Sequence, residues 1–121
     1  GKVINPQGVL GQIEGAIVQA QGYAVMEHLI SIEGKLKNPY LSTYLIPTAL
    51  DIPHRVKPII LEHPDPIGPW GARGVAETPF LTIAPALAAA FYDATGVWID
   101  KIPFTPDSVV KALRAHGIGG I

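Results

Sequence analysis

One carboxylate in the sequence stands where it could act as a general base. Glu77 ends a glycine-punctuated loop that begins at Gly71, and Thr78 and Pro79 follow it at the start of a long apolar segment. Thr78 is a favourable helix N-cap and Pro79 a favourable first helical residue. A helix dipole favours negative charge at that point, typically by about 0.3–1 kcal/mol, and a general base has to be ionised. Two interpretations stay open: a catalytic base, or an acid that merely helps a helix begin.

No other residue shows the spacing that a known catalytic or metal site requires. The four histidines lack metal-ligand spacing, and no serine lies in a Gly-x-Ser-x-Gly motif. The segment GARG, residues 71–74, matches no phosphate-binding loop, although Arg73 could pair with Glu77 or with an anion. Gln12 and Glu14 form a polar pair near the start of an otherwise apolar helix. We therefore predict no metal ligand in this chain.

The composition predicts that much of the surface faces other polypeptide. Of the 121 residues 48% are hydrophobic and 16% are charged, against about 25% charged residues in typical soluble domains. A net charge of −1 with scattered Lys and Arg gives no basic footprint for nucleic acid. The absence of cysteine excludes disulfides and iron–sulfur ligation within this chain. Because the charge is not basic, we expect no nucleic-acid partner. Because the sequence has no long apolar run and no signal peptide, we expect no membrane partner either.

The hydrophobic patterns predict an α+β fold with about three helices and a small sheet. The first helix follows the Asn5–Pro6 turn and contains Gly11, Gly15 and Gly22, each of which weakens a helix by about 1 kcal/mol. Three such glycines indicate close approach of another backbone or a ligand. A second helix, predicted from residue 79 to 94, is apolar all round, so we expect it to be buried.

Helix-terminating and strand signals complete the predicted order of elements. Gly96 is placed as a helix C-cap, and Thr105 as the N-cap of a last helix that begins at Pro106. A hairpin is predicted around Glu33–Gly34. The other predicted strands lie at residues 2–4, 55–63 and 97–104.

Four motifs occur in one order and at spacings that resemble those of a known family. They are GQIEGAIVQAQGYAVMEH, STYLIPTALDIP, GARGVAETPFLTIAPALAAAFYDATG and IPFTPDSVVKAL. Together they resemble the C-terminal portion of the molybdopterin-binding large subunit of the xanthine dehydrogenase and aldehyde oxidase family of molybdenum hydroxylases. The resemblance covers nearly the whole chain. It implies that residues 1–121 form a single domain, the C-terminal segment of a molybdopterin-binding domain that is incomplete at its N-terminus.

The resemblance also implies roles for individual residues. Glu77 would be the general base for water-derived hydroxylation of an electron-poor carbon in a purine, aldehyde or N-heterocycle. Gln12 would hydrogen-bond to the pterin cofactor, and the loop residues Gly74, Val75 and Ala76 would lie against it. Ala76 stands where the family usually has glycine, and its methyl group could narrow the loop or exclude a positive φ.

The implied cofactor is molybdenum–molybdopterin, as such or as a dinucleotide, with iron–sulfur clusters and FAD on other domains or subunits. The implied partners are the remainder of the molybdopterin-binding subunit, those iron–sulfur and FAD modules, and a small-molecule substrate. We expect a cytoplasmic enzyme whose isolated chain is inactive. Two other hypotheses stay open: a catalytically silent structural or assembly module of such a complex, and a free-standing anion-binding domain that uses GARG.

Overall fold

A long N-terminal helix is the element against which much of the chain packs. The computed structural model describes residues 1–119. Helix α1 spans Pro6–Val25, and the side chain of Asn5 caps it by accepting a hydrogen bond from the backbone N–H of Gly8 at 3.0 Å. The predicted Asn5–Pro6 turn is therefore a helix N-cap. The buried residues of α1 are all small, which permits close packing: Ala16, Ala20, Gly22 and Ala24.

The apolar segment after Glu77 begins as a short 3₁₀ helix, Thr78–Thr82, and continues as α2, Ile83–Thr95. The prediction that Thr78 is the N-cap is wrong. Because Thr78 is already the first helical residue, Glu77 occupies the N-cap position. Its side chain makes no capping hydrogen bond there. Gly96 ends α2 as predicted, with a φ of 73° and a backbone N–H that donates to the carbonyl of Tyr92 at 2.7 Å.

The prediction that the second helix is buried is wrong for the residues described. No residue of α2 is buried, although α2 contacts α1 and the 3₁₀ helix. The reason is geometric. A helix that is apolar on all sides is suited to burial, but the other residues of the 1–119 range cover only some sides of α2. The buried apolar residues are correspondingly few: Ala16, Ala20, Ala24, Val97 and Ile99.

The last helix follows its predicted signals. Helix α3 spans Pro106–Ala115, and the Thr105 hydroxyl accepts a hydrogen bond from the backbone N–H of Ser108 at 3.3 Å. The segment before α3 is tied to α1, because the N–H of Phe104 donates to the carbonyl of Ala24 at 2.6 Å. None of the helices among residues 1–119 is long and apolar enough to cross a membrane.

The predicted hairpin is confirmed. Strand β1, Ser31–Ile32, pairs antiparallel with β2, Lys35–Leu36. Glu33 and Gly34 connect them with φ values of 50° and 74°. Positive φ at both central residues is the signature of the tight turn that matches the natural twist of a hairpin. The three α-helices and this two-stranded sheet confirm the predicted α+β class.

The other predicted strands, at residues 2–4, 55–63 and 97–104, are wrong. None of them forms a strand, and the two strands of the hairpin are the only paired strands among residues 1–119. A strand exists only when its N–H and C=O groups find a neighbouring strand, however favourable its residue types are. Residues 55–63 lack that neighbour, and Ile59 and Leu61 are each 75% exposed.

The glycines of α1 differ in what a side chain would meet, which gives a first prediction. A Cβ added at Gly22 would lie 2.6 Å from Cδ of Pro47, so we expect Gly22→Ala to destabilise the protein by about 1–3 kcal/mol through overpacking. A Cβ at Gly11 meets nothing within 4 Å, so Gly11→Ala is the control. It should stabilise by up to about 1 kcal/mol. Thermal unfolding of both variants tests this; equal midpoints would contradict it.

Candidate functional site

The loop that leads to Glu77 is held in shape by one carboxylate. Oδ1 of Asp65 accepts hydrogen bonds from the backbone N–H groups of Ile67 at 2.8 Å and Gly68 at 2.9 Å, and Oδ2 pairs with Nε of Arg73. The Ile67 N–H, followed by Arg73 and Gly68, lowers the pKa of Asp65 from 3.8 to about 2. Arg73 therefore pairs with Asp65, and not with Glu77 or an anion, the two alternatives that the sequence left open.

The turn inside this loop adopts an uncommon backbone conformation. Trp70, which is 83% exposed, has a φ of 50°, and Gly71 has a φ of 78°. A non-glycine residue with positive φ costs of the order of 1–3 kcal/mol and persists where its surroundings fix it. The carbonyl of Gly71 accepts hydrogen bonds from the N–H of Lys2 at 2.6 Å and of Asp65 at 2.9 Å. These bonds hold the loop beside the N-terminal segment.

A cavity of about 610 Å³ lies between residues 1–5, the first turns of α1 and the loop that starts at Ala72. Gln12, Gly74 and Val75, three of the predicted cofactor-binding residues, line it together with Thr78. Sequence positions about sixty residues apart thus meet at one site. Ala76 and Glu77 are not among the lining residues, but both neighbours of that pair, Val75 and Thr78, are.

The cavity suits an organic cofactor in size and in the character of its walls. Its volume falls in the range of about 300–1,000 Å³ that is typical of small-molecule sites. Gly8 and Gly74 contribute backbone without a side chain, and a Cβ at Gly74 would meet nothing within 4 Å, so backbone groups face open space there. The Gln12 side chain is exposed and can donate or accept hydrogen bonds. These residues fit a pterin.

Glu77 faces helix α1. Its side chain is exposed, and Oε1 accepts a hydrogen bond from Nε2 of Gln19 at 3.1 Å. Gln19 follows Gln12 by seven residues, or nearly two full turns, so the two amides lie on one face of α1 about 10 Å apart along the axis. The structure therefore brings Glu77 to the same helix face as Gln12.

The alanine in place of the expected glycine causes no backbone strain. Among residues 1–119 the non-glycine residues with positive φ are Glu33 and Trp70, so Ala76 does not adopt that conformation. Alanine at this position is compatible with the backbone of the loop as it stands. The concern that its methyl group excludes the required φ does not apply to this loop.

Two residues of the site were missed in the sequence. Gln19 could have been found from its seven-residue spacing after Gln12, which places both on one helix face. Asp65 could have been found in the run PDPIG, because aspartate before a turn commonly accepts bonds from backbone N–H groups two and three residues later. Among the residues that the structure describes, no three His, Asp or Glu side chains group closely enough to hold a metal ion.

Part of the site coincides with a known domain. Residues 1–53 match the family model of the molybdopterin cofactor-binding domain. This range contains the whole of α1, and with it Gln12 and Gln19. The helix that forms one wall of the cavity thus belongs to the segment that matches a cofactor-binding domain.

Much longer proteins are similar to the chain over nearly all of its length. It is 37% identical over 118 residues to a probable xanthine dehydrogenase component of Bacillus subtilis, which covers 98% of this chain and 16% of that protein. It is 35% identical over 115 residues to the aldehyde oxidoreductase of Megalodesulfovibrio gigas, covering 95% and 12% respectively. The crystal structure of quinoline 2-oxidoreductase from Pseudomonas putida 86 matches with a TM-score of 0.86 at 36% identity, covering 94% and 15%.

The chain belongs to the molybdopterin-binding subunits of the xanthine dehydrogenase and aldehyde oxidase family. The resemblance carried by the four sequence motifs is confirmed. The chain spans between 12% and 16% of the length of the relatives described above.

The Asp65 network gives a prediction for acid pH. Because the pKa of Asp65 is about 2 in the folded chain and near 3.8 otherwise, its bonds stabilise the loop fully above about pH 4, and that stability is lost as the pH falls towards 2. We expect the wild-type thermal midpoint to fall across this window more steeply than that of Asp65→Asn. Asp107→Asn, which alters an exposed ion pair with Lys111, is the control. Parallel curves for wild type and Asp65→Asn would contradict the prediction.

Proposed function

We propose that this chain forms part of the active site of a molybdenum hydroxylase and supplies its general base, Glu77. The observation that carries the proposal is the bond between Glu77 and Gln19, on the face of α1 that also carries Gln12. A carboxylate that only helped a helix begin would accept a bond from a helical N–H group. Glu77 makes no such capping bond. Its placement supports the catalytic interpretation over the structural one.

The cavity gives the other residues their proposed roles. The Gln12 side chain would hydrogen-bond to the pterin, and the backbone of Gly74 and Val75 would approach the cofactor closely, because glycine leaves the space open. When bound, the molybdenum–pterin group supplies the acceptor for the two electrons that leave the substrate. Iron–sulfur clusters and FAD on other domains or subunits would carry these electrons away.

The proposed chemical role of Glu77 is proton transfer. Oε1 is held by Gln19, and Oε2 makes no hydrogen bond to any residue in the described range. Oε2 is therefore the atom that we propose takes the proton from the water-derived nucleophile as it attacks an electron-poor carbon. The C–H bond of that carbon would break as the C–O bond forms, and its electron pair would pass to the bound molybdenum–pterin group. The relatives suggest purines, aldehydes and N-heterocycles as substrate classes. The remainder of the molybdopterin-binding subunit would complete the pocket around the substrate.

The anion-binding alternative has lost its main support. It required a free guanidinium in the GARG segment, whereas Arg73 is paired with Asp65. The carbonyl of Gly71, at the other end of the segment, accepts bonds from Lys2 and Asp65. The observed geometry therefore favours the use of this loop as a wall of the cofactor cavity.

Replacing Glu77 by glutamine in the complete enzyme tests the proposed base. The change is nearly isosteric and removes the proton acceptor, so kcat should fall about 10²–10⁴-fold while the molybdenum content stays that of wild type. Glu33→Gln, in the exposed hairpin turn, is the matched control and should keep full activity. Steady-state kinetics normalised to molybdenum decide the question. Near-normal turnover by Glu77→Gln would favour a catalytically silent module.

A further inference from the structure

The carboxylate of Glu77 is attached to α1 at a defined point. Nε2 of Gln19 donates to Oε1 of Glu77 at 3.1 Å, across 58 positions of sequence. Among residues 1–119 this is the one hydrogen bond that the carboxylate makes. The orientation of the proposed base therefore depends on a single side chain of another element.

A second contact fixes the same two elements one turn further along. Tyr23 follows Gln19 by four residues on α1, and its ring lies 5.3 Å from the ring of Phe80, three residues after Glu77. Residues four apart lie on one face of a helix. The pairs Gln19–Glu77 and Tyr23–Phe80 therefore form a two-point attachment between α1 and the 3₁₀ helix, which fixes distance and rotation together.

Gln19 projects from a well-packed and capped helix. Ala16, one turn before Gln19, and Ala20, directly after it, are 3% and 0% exposed, so the middle of α1 is packed along the face beside this position. The helix is capped at its start by Asn5. An amide that projects from such a segment has a fixed base, unlike one on a loop.

The chemistry of the donor also matters. An amide N–H is neutral, and the two ion pairs found within residues 1–119, Arg73–Asp65 and Lys111–Asp107, leave Glu77 out. A neutral donor orients a carboxylate without placing a formal positive charge beside it. Gln19 thus suits a carboxylate that has to accept a proton.

From this geometry we infer that Gln19 is a positioning residue that orients the Glu77 carboxylate and leaves Oε2 free to accept the proton. The inference rests on the proposed role of Glu77 as general base. Gln19 touches neither substrate nor cofactor in this assignment; it acts through Glu77. Removing it should therefore affect the rate of the chemical step more than substrate binding.

The test compares four variants of the complete enzyme: Gln19→Met, Glu77→Gln, the double variant, and Gln21→Met as control. Methionine matches the length of glutamine and cannot donate. Gln21 lies on the same helix, and its Nε2 donates to the backbone carbonyl of Asp51 at 2.7 Å, remote from Glu77. The test requires kcat per bound molybdenum, KM and the molybdenum content of each variant. It also requires the crystal structure of Gln19→Met.

We expect Gln19→Met to lower kcat about 10-fold to 100-fold, as small misplacements of reacting groups do, with KM little changed. Gln21→Met should keep the wild-type kcat. The double variant should be no slower than Glu77→Gln alone, because a residue that acts through Glu77 has no effect once the carboxylate is gone. In the crystal structure the carboxylate should turn away from position 19.

Three results from the kinetic and metal measurements would overturn the inference while leaving the general base intact, since Glu77→Gln would still be slow. They are a wild-type kcat for Gln19→Met, a double variant slower than Glu77→Gln by the full Gln19→Met factor, and a loss of molybdenum with unchanged kcat per bound metal. An unmoved carboxylate in the crystal structure would overturn it too. Normal turnover by Glu77→Gln would instead overturn the proposed function itself.

Discussion

The attachment of the 3₁₀ helix to α1 is the constraint on which the site depends. Through it, the end of the glycine-containing loop is fixed against a helix that lies more than fifty residues earlier in the chain. Helix α1 contacts both the 3₁₀ helix and α2, and its buried residues, Ala16 and Ala20 among them, are small enough for close packing. The position of Glu77 thus follows from the packing of the 3₁₀ helix against α1 and from the two side-chain contacts between them.

The loop before Glu77 is built independently of that attachment. Asp65 organises it by accepting two backbone N–H groups and one guanidinium, and the carbonyl of Gly71 ties it to Lys2 and thereby to the segment before α1. One end of the loop is therefore anchored beside the N-cap of α1, and the other end beside its middle. The cavity lies along the first half of the helix between these anchors, where Gln12 projects.

Local signals in the sequence were sufficient for the features that local chemistry decides. The turn at Asn5–Pro6, the caps at Gly96 and Thr105 and the hairpin turn at Glu33–Gly34 depend on a few neighbouring residues, and all four are found in the structure. The cap predicted at Thr78 is one residue off, because the N-cap lies at Glu77. The strand predicted at residues 55–63 failed because pairing requires a partner that residue types cannot supply. The prediction that α2 is buried was wrong because burial, like strand pairing, requires contacts with other segments that the residue types of α2 cannot supply.

The residues of the candidate site also fall into two groups: those that local sequence indicates and those that only the folded chain reveals. Glu77, Gln12 and the loop residues Gly74 and Val75 could be named from motifs, because each stands in a recognisable run of sequence. Gln19 stood in the same run, and its spacing after Gln12 carried the signal, but its partner could not be read from a helix pattern. A hydrogen bond across 58 positions is a property of the folded chain.

We propose that packing against α1 places the Glu77 carboxylate beside a bound cofactor. A crystal structure of the complete enzyme with its molybdenum–pterin group tests this most directly. We expect the pterin to contact the Gln12 amide and the backbone of Gly74 and Val75, and the Glu77 carboxylate to keep its bond to Gln19 and face the substrate position. A cofactor seated away from the cavity, with the Glu77 side chain in bulk water, would contradict it.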